Sequence, residues 1–199
     1  MHVSRSQAER RAHSRAALLE AMARGLSRYG YGNLVLEQVA KEAGFTRGAL
    51  YHQFAGKEDL ALAVVKWVAS TWEEEVGDPA HGKQDPVAVL IALARGHIVY
   101  CRRDVARSIM ALRVEFAGQD HPVGRAIEKA MTANARRFSA LIEAGRRDGS
   151  IPPGPAASQL AAAALGAIEG LAIALAGAAP HDEELAERVI RGVLGLPAA

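Results

Sequence analysis

Apolar residues recur along this chain at the three- and four-residue spacing of amphipathic helices, and no β-branched run bounded by turn residues interrupts them. Leu18, Met22, Leu26 and Tyr29 trace one face of a first helix that ends at Gly30 and Gly32. Leu36, Val39, Ala40 and Ala43 mark a second helix that stops at Gly44, and Asn33 is the available cap residue before it. Thr46 caps a short third helix, in which Leu50 and Phe54 point the same way one turn apart. A fourth begins after Gly56 with Glu58 and Asp59 in its first turn and runs to about Val76. Its apolar set, Leu60, Val64, Val65, Trp67, Val68 and Trp72, is too broad for one stripe, so packing on more than one side is expected. Gly77 to Gln84 reads as a loop. Asp85 and Pro86 open a fifth helix with Val87, Leu90, Ala94, Ile98 and Cys101 on its buried face. Val105, Ile109, Leu112 and Phe116 mark a sixth, and Val123, Ile127, Met131, Asn134, Phe138, Leu141 and Ile142 share a side of a long seventh. An alanine-rich eighth runs from about Ala156 to Ala178, and Asp182 to about Leu194 forms the last. The pattern predicts an all-α protein of about nine helices.

The stretch from Leu36 to Leu60 carries the chemistry. Two short helices joined by a tight glycine turn, the second with Arg47, Gly48, Tyr51 and His52 off its buried edge, make a helix-turn-helix, a motif that reads DNA. Residues 1–60 hold nine Lys/Arg against six Asp/Glu, and the other 139 hold fifteen against sixteen, so the basic excess lies with the motif. Arg5, Arg10 and Arg11 form either a solvated terminus or an arm reaching phosphate or minor groove.

Other readings are set aside on chemical grounds. The single cysteine, Cys101, excludes an intrachain disulfide, and the polar, basic N-terminus has no apolar signal segment, so a cytoplasmic location is expected. Gly77 to Lys83 imitates a phosphate loop, but Gln84 replaces the required Ser or Thr and no strand precedes it. His97 and Cys101, four residues apart, lack a third metal ligand nearby in sequence. No catalytic spacing is present, so neither enzyme activity, cofactor nor metal is expected. From Leu160 to Ala179 the sole charge is Glu169; its central position and the alanine-rich composition argue against a membrane span and for a helix buried on nearly all sides.

The order Val39-Ala40, Ala43-Gly44-Phe45-Thr46-Arg47-Gly48-Ala49-Leu50-Tyr51-His52-Gln53-Phe54 and Lys57-Glu58-Asp59-Leu60 resembles the DNA-binding signature of the TetR family, the tetracycline-repressor-like bacterial regulators. The resemblance implies a three-helix DNA-binding domain over residues 1–56 and a helical ligand-binding and dimerisation domain over 57–199. It implies that Thr46, Arg47, Gly48, Tyr51 and His52 face the major groove or its phosphates and that Lys57 approaches a phosphate. The residue types suit this: Arg47 can pair with guanine or phosphate, Gly48 admits close backbone approach, and Tyr51 and His52 can donate to phosphate oxygens. One departure is Leu34-Val35, where the family usually has a Thr or Ser that caps the second helix and bonds a phosphate.

A single motif reads few base pairs, so a homodimer on a near-palindromic operator is expected. Gly166, Gly170, Ile173, Val189 and Val193 on the last two helices offer its interface, and the resemblance implies a four-helix bundle with their copies. It also implies a cavity for a small, largely apolar effector. His97, Asn134 and Glu169 interrupt apolar faces as the orienting groups of such a pocket would, although each is equally well read as a satisfied core polar group. Tyr100, Met110, Arg113, Phe116 and Phe138 are further lining candidates. The function expected is a DNA-binding regulator, a repressor released by its effector; the alternative is a DNA-binding regulator with no small-molecule ligand.

Overall fold

The computed structural model describes residues 7–175 and 178–197, so Arg5 of the expected arm lies outside the described residues. Among them the chain is helical and has no strand. The helices are α1 (Gln7–Asn33), α2 (Leu36–Glu42), α3 (Arg47–Tyr51), α4 (Lys57–Trp72), α5 (Asp78–His81), α6 (Pro86–Cys101), α7 (Asp104–Glu115), α8 (Pro122–Asp148), α9 (Ala157–Ala174) and α10 (His181–Leu194). The nine expected helices are present. The tenth, α5, falls in the stretch read as a loop: α4 passes into a π-helical turn at Glu73–Gly77, and Pro79 near the start of α5 has no amide hydrogen to lose.

Two compact units emerge, residues 1–68 with 104–127, and residues 69–103 with 128–199. In the first, α1 packs along α7 and meets α2, and α2 meets α3. Leu18, Met22, Leu26, Leu50, Leu60, Leu112 and Ile127 are its fully buried large side chains. The unusual Leu34-Val35 entrance has a packing explanation. Leu34 is buried, and a Cβ on Gly25 of α1 would stand 2.5 Å from its Cδ1, so the missing side chain at 25 makes room for the leucine. Val35 is left as the N-cap of α2, extended at φ −107° and with no side-chain hydrogen bond. Asn33, expected as the cap, instead donates from Nδ2 to the Tyr29 carbonyl. Its side chain is used on the helix behind it, and the first turn of α2 is uncapped.

In the second unit α6 packs against α10 and α9, and Leu90, Leu93, Ile142, Ile151 and Ile168 are among its fully buried side chains. A polar lock fastens α10 to α6. Arg102 donates from Nε and Nη2 to the two carboxylate oxygens of Asp182, at 3.0 and 2.8 Å, and from Nη2 to Glu183 at 2.8 Å. The Asp182 side chain is 2% exposed, and the Arg102 hydrogen bond is the main cause holding its carboxyl below the usual aspartate range. Because the folded value is depressed, the lock contributes fully above about pH 4, the unfolded-chain value, and is lost as pH falls through the folded value. Arg102→Met is therefore expected to lower the melting temperature at pH 7, and the gap to wild type should close on acidification below about pH 4. Thermal melts from neutral to strongly acidic pH check this; a gap independent of pH would remove the ion pair as its cause.

The expectation that the eighth helix, now α9, is buried on nearly all sides needs correction. Only Ala157, Ala161, Ala164, Ile168 and Ala172 form a buried stripe. Gly166 and Gly170 are exposed, and the Ile173 side chain is 67% exposed. α9 is long and apolar enough to cross a membrane, by length and composition alone.

Candidate nucleic-acid interface

The geometry of α2, turn and α3 follows from a few local choices. Gly44 takes φ +78°, a conformation costly for any residue with a Cβ, and the Phe45 amide then donates back to the Ala40 carbonyl at 2.8 Å. Thr46 Oγ1 accepts from the Ala49 amide at 3.2 Å and so caps α3. Val39, Ala40, Leu50 and Phe54 are buried beneath the motif. Two contacts pin α3 to α1: Gln53 Nε2 donates to Ser14 Oγ at 2.8 Å, and the Arg15 guanidinium lies 4.5 Å from the centre of the Phe54 ring.

With that edge fixed, Thr46, Arg47, Gly48, Tyr51 and His52 are all exposed. Arg47 and Tyr51, one turn apart, share a face, and the guanidinium sits 5.5 Å from the centre of the Tyr51 ring. A Cβ on Gly48 would meet only Thr46 Oγ1, at 3.8 Å, so nothing inside the chain requires a glycine there. A glycine inside a helix costs about 0.5–1 kcal/mol relative to alanine, and close approach from outside is the use that offsets it.

Lys57 is held within the chain by the end of α1. Its Nζ donates to the Gly32 carbonyl at 3.2 Å and lies 4.7 Å from the centre of the Tyr31 ring. Burial pulls the ammonium below its ordinary range, against the pull of the Glu115 charge. The same segment is held from α7: Glu115 accepts from the Tyr31 amide at 2.5 Å and from the Gly32 amide at 2.6 Å. Phe116 and His121 stack at 4.1 Å, each stands edge-on to Tyr31, and His121 Nε2 is 3.6 Å from Glu58 Oε2. Lys57, Tyr31, Glu115 and His121 thus fix the last residues of α1, past its kink at Gly30, ahead of α2. Glu115→Ala is expected to destabilise the protein by roughly 2 kcal/mol, because two amides lose a charged acceptor. Urea denaturation checks it, and an unchanged midpoint would show that water replaces the carboxylate at no cost.

The eight effector candidates do not fall in one unit. Met110 and Arg113 are half-buried on α7 in the first unit, where Phe116 is spent in the aromatic cluster. His97, Tyr100, Asn134, Phe138 and Glu169 belong to the second. There Tyr100 and Thr71 share a hydroxyl hydrogen bond of 2.6 Å, and Trp72 Nε1 donates to His97 Nδ1 at 3.1 Å. His97 Nε2 is 3.3 Å from Cys101 Sγ, and burial pushes the imidazole down to about 4, so it is neutral at physiological pH. Asn134 and Glu169 are half-buried and Phe138 is buried. Sequence reasoning missed Arg137, which pairs with Glu73 at 2.6 Å. It also missed Glu73, Asp78 and His81, whose ligating atoms lie within 4.8 Å of one another. Glu73 in that trio is already engaged by Arg137. Of the dimer candidates, Gly166, Gly170 and Ile173 are exposed and Val189 and Val193 are half-buried.

Residues 18–64, which hold the motif and the Lys57 anchor, match the family described as bacterial regulatory proteins, tetR family. Over residues 18–64 the chain is of the tetR family. Among relatives, the A-factor receptor protein of Streptomyces griseus is 31% identical over 138 residues, 69% of this chain and 46% of that protein. The chain spans about half the length of the curated relatives it matches first. The likeness of fold to solved structures covers residues of both units. AibR, solved with isovaleryl coenzyme A and operator DNA, superposes with a TM-score of 0.75 at 20% identity, covering 92% of this chain and 100% of AibR. FadR of Bacillus subtilis, solved with stearoyl-CoA, gives 0.75 at 15% identity, covering 90% and 97%.

Proposed function

We propose that this chain is a sequence-specific DNA-binding transcriptional regulator that acts in the cytoplasm as a homodimer on a near-palindromic operator. It acts as a repressor, and a small, largely apolar effector releases it. The observation that carries the reading is the outer face of α3: Thr46, Arg47, Gly48, Tyr51 and His52 stand exposed while Val39, Ala40, Leu50 and Phe54 are buried beneath them. That is the arrangement a groove-reading helix needs. Lys57 acts by positioning the last residues of α1.

Residues 1–56 supply the reading head and residues 57–199 the effector site and dimer surface. AibR and FadR support the effector half of the proposal, since this fold takes up an acyl-coenzyme A in both. Binding energy can shift operator affinity only by the effector's differential affinity for the two states. The test is selection of bound DNA from a random pool, repeated in the presence of candidate acyl compounds. Recovery of a two-fold-related consensus that is lost on adding a compound is the expected result. A pool with no consensus overturns the DNA reading, and a consensus insensitive to every compound overturns the effector reading.

A further inference from the structure

The second unit holds a polar station that neither DNA reading nor dimerisation uses. It forms where α4 turns into the π-helical turn, beside α6 and α8. Glu73, the first residue of that turn, folds its carboxylate over Gly77, where a Cβ would collide with it. Arg137 of α8 donates from Nη2 to Glu73 Oε1 at 2.6 Å, and its guanidinium carbon lies 5.7 Å from the centre of the Trp72 ring. Arg137 Nη1 is buried and has no hydrogen-bond partner among the described residues. A buried donor on a charged group left unpaired is costly, so a native site that keeps one needs a reason.

The neighbouring polar groups are engaged. Trp72 Nε1 is spent on His97 Nδ1, which fixes the imidazole hydrogen on Nε2, toward Cys101 Sγ. Thr71 and Tyr100 are paired with each other, and Glu75 is held by Arg103. The other buried orphan of this unit, Arg146 Nε, belongs to the turn after α8, where Arg146 Nη2 already holds the Pro155 carbonyl. Arg137 Nη1 is thus a donor available to a molecule from outside the chain.

Charge narrows the acceptor. Glu73 already neutralises Arg137, Asp78 sets a second carboxylate beside Glu73 and His81, and His97 is neutral, so the station carries no spare positive charge. A carboxylate bound at Nη1 would share the guanidinium with Glu73 and repel it, whereas a carbonyl oxygen accepts the same hydrogen bond without that penalty. Ile98 of α6 and Phe138 and Ile142 of α8 are buried in the same unit and are the kind of side chain an apolar remainder needs. We propose that Arg137 Nη1 anchors a neutral carbonyl oxygen (ester, lactone or thioester) of an apolar effector, and that Glu73 selects against the free acid. This rests on the effector reading above.

The test uses the full-length protein carrying Trp67→Phe, so that fluorescence reports Trp72. Matched methyl esters, γ-lactones, coenzyme A thioesters and free acids, from four to eighteen acyl carbons, are titrated, and operator release is followed in parallel. The neutral-carbonyl member of the best-binding set is expected to bind about tenfold more tightly than its acid, because the acid's charge is repelled by Glu73 across the shared guanidinium. Glu73→Gln should erase that preference by strengthening acid binding, and Arg137→Leu should weaken carbonyl binding by roughly tenfold. Should Arg137→Leu not fold, the near-isosteric Glu73→Gln still decides the matter. The arms that bind separate ester, lactone and thioester sources. A preference for the acid in wild type, an unchanged preference in Glu73→Gln, or no binding by any neutral member overturns the anchor. If another compound releases the operator without sensitivity to either substitution, the effector reading stands and the anchor alone falls.

Discussion

Arg47→Ala should weaken specific operator binding by roughly ten- to a hundredfold, equivalent to about 1–3 kcal/mol, with no change in melting temperature or oligomeric state. The argument is one of position. Arg47 is the first residue of α3, exposed, and among the described residues it meets the Tyr51 ring one turn on. Removing it breaks nothing that holds the motif together, since the cap is Thr46 and the buried anchors are Leu50 and Phe54. The ring also limits the directions the guanidinium samples, so less rotamer freedom remains to be lost on binding. Fluorescence anisotropy on the selected operator, at several salt concentrations, distinguishes two outcomes. If Arg47 reads a base edge, selectivity relaxes at one position and the salt slope holds; if it meets a phosphate, binding weakens uniformly and the slope falls by about one. Unaltered operator affinity would remove α3 as the reading helix.

The motif was legible in the sequence because its determinants are local. Gly44 must supply a positive φ, Thr46 lies one residue before its helix, and Leu50 and Phe54 are one turn apart, so a short window contains the whole instruction. The tie between the last residues of α1 and the rest of the unit was not legible. Glu115 is 84 residues from Tyr31 in the chain, and neither spacing nor composition announces that its carboxylate will accept two amides there. Lys57 shows the same limit from the other side. A lysine at a helix start reads equally well as a phosphate contact or a surface charge, and nothing in the spacing announces that its Nζ meets the Gly32 carbonyl and the Tyr31 ring. Asn33 was misassigned because a cap residue close to a helix start has two backbone neighbours to choose from, and the Tyr29 carbonyl won. Among effector candidates, His97 was found because it breaks an apolar face. Arg137 was hidden, since an arginine on a long amphipathic helix ordinarily faces water, and its partner Glu73 sits in an acidic run that reads as a solvated surface.

Ile173→Glu is expected to convert a dimer to a monomer and, through that, to lower operator affinity by more than Arg47→Ala does. α9 buries only one alanine-rich stripe within the chain, and Gly166, Gly170 and Ile173, spaced four and three residues apart, occupy exposed positions. A Cβ at either glycine would find nothing within 4 Å, so the small residues answer no need inside one copy. With no side chain at either glycine beside the exposed isoleucine, this face is one on which a second α9 can approach closely, with α10 presenting Val189 and Val193 half-buried. A carboxylate at position 173 would be solvated in the free chain and desolvated without a partner in the pair, so it penalises association and spares folding. Operator binding then suffers because two linked reading heads gain about 10²–10⁴ in apparent affinity over separate ones, provided both half-sites are engaged together. Sedimentation velocity measures the first effect and anisotropy on full and half operators the second. The variant should bind the half operator as wild type does and lose its advantage on the full one. A variant that still sediments as a dimer would place the interface elsewhere, and Gly166→Leu, which adds bulk to this face without adding charge, separates a steric seam from a merely apolar patch.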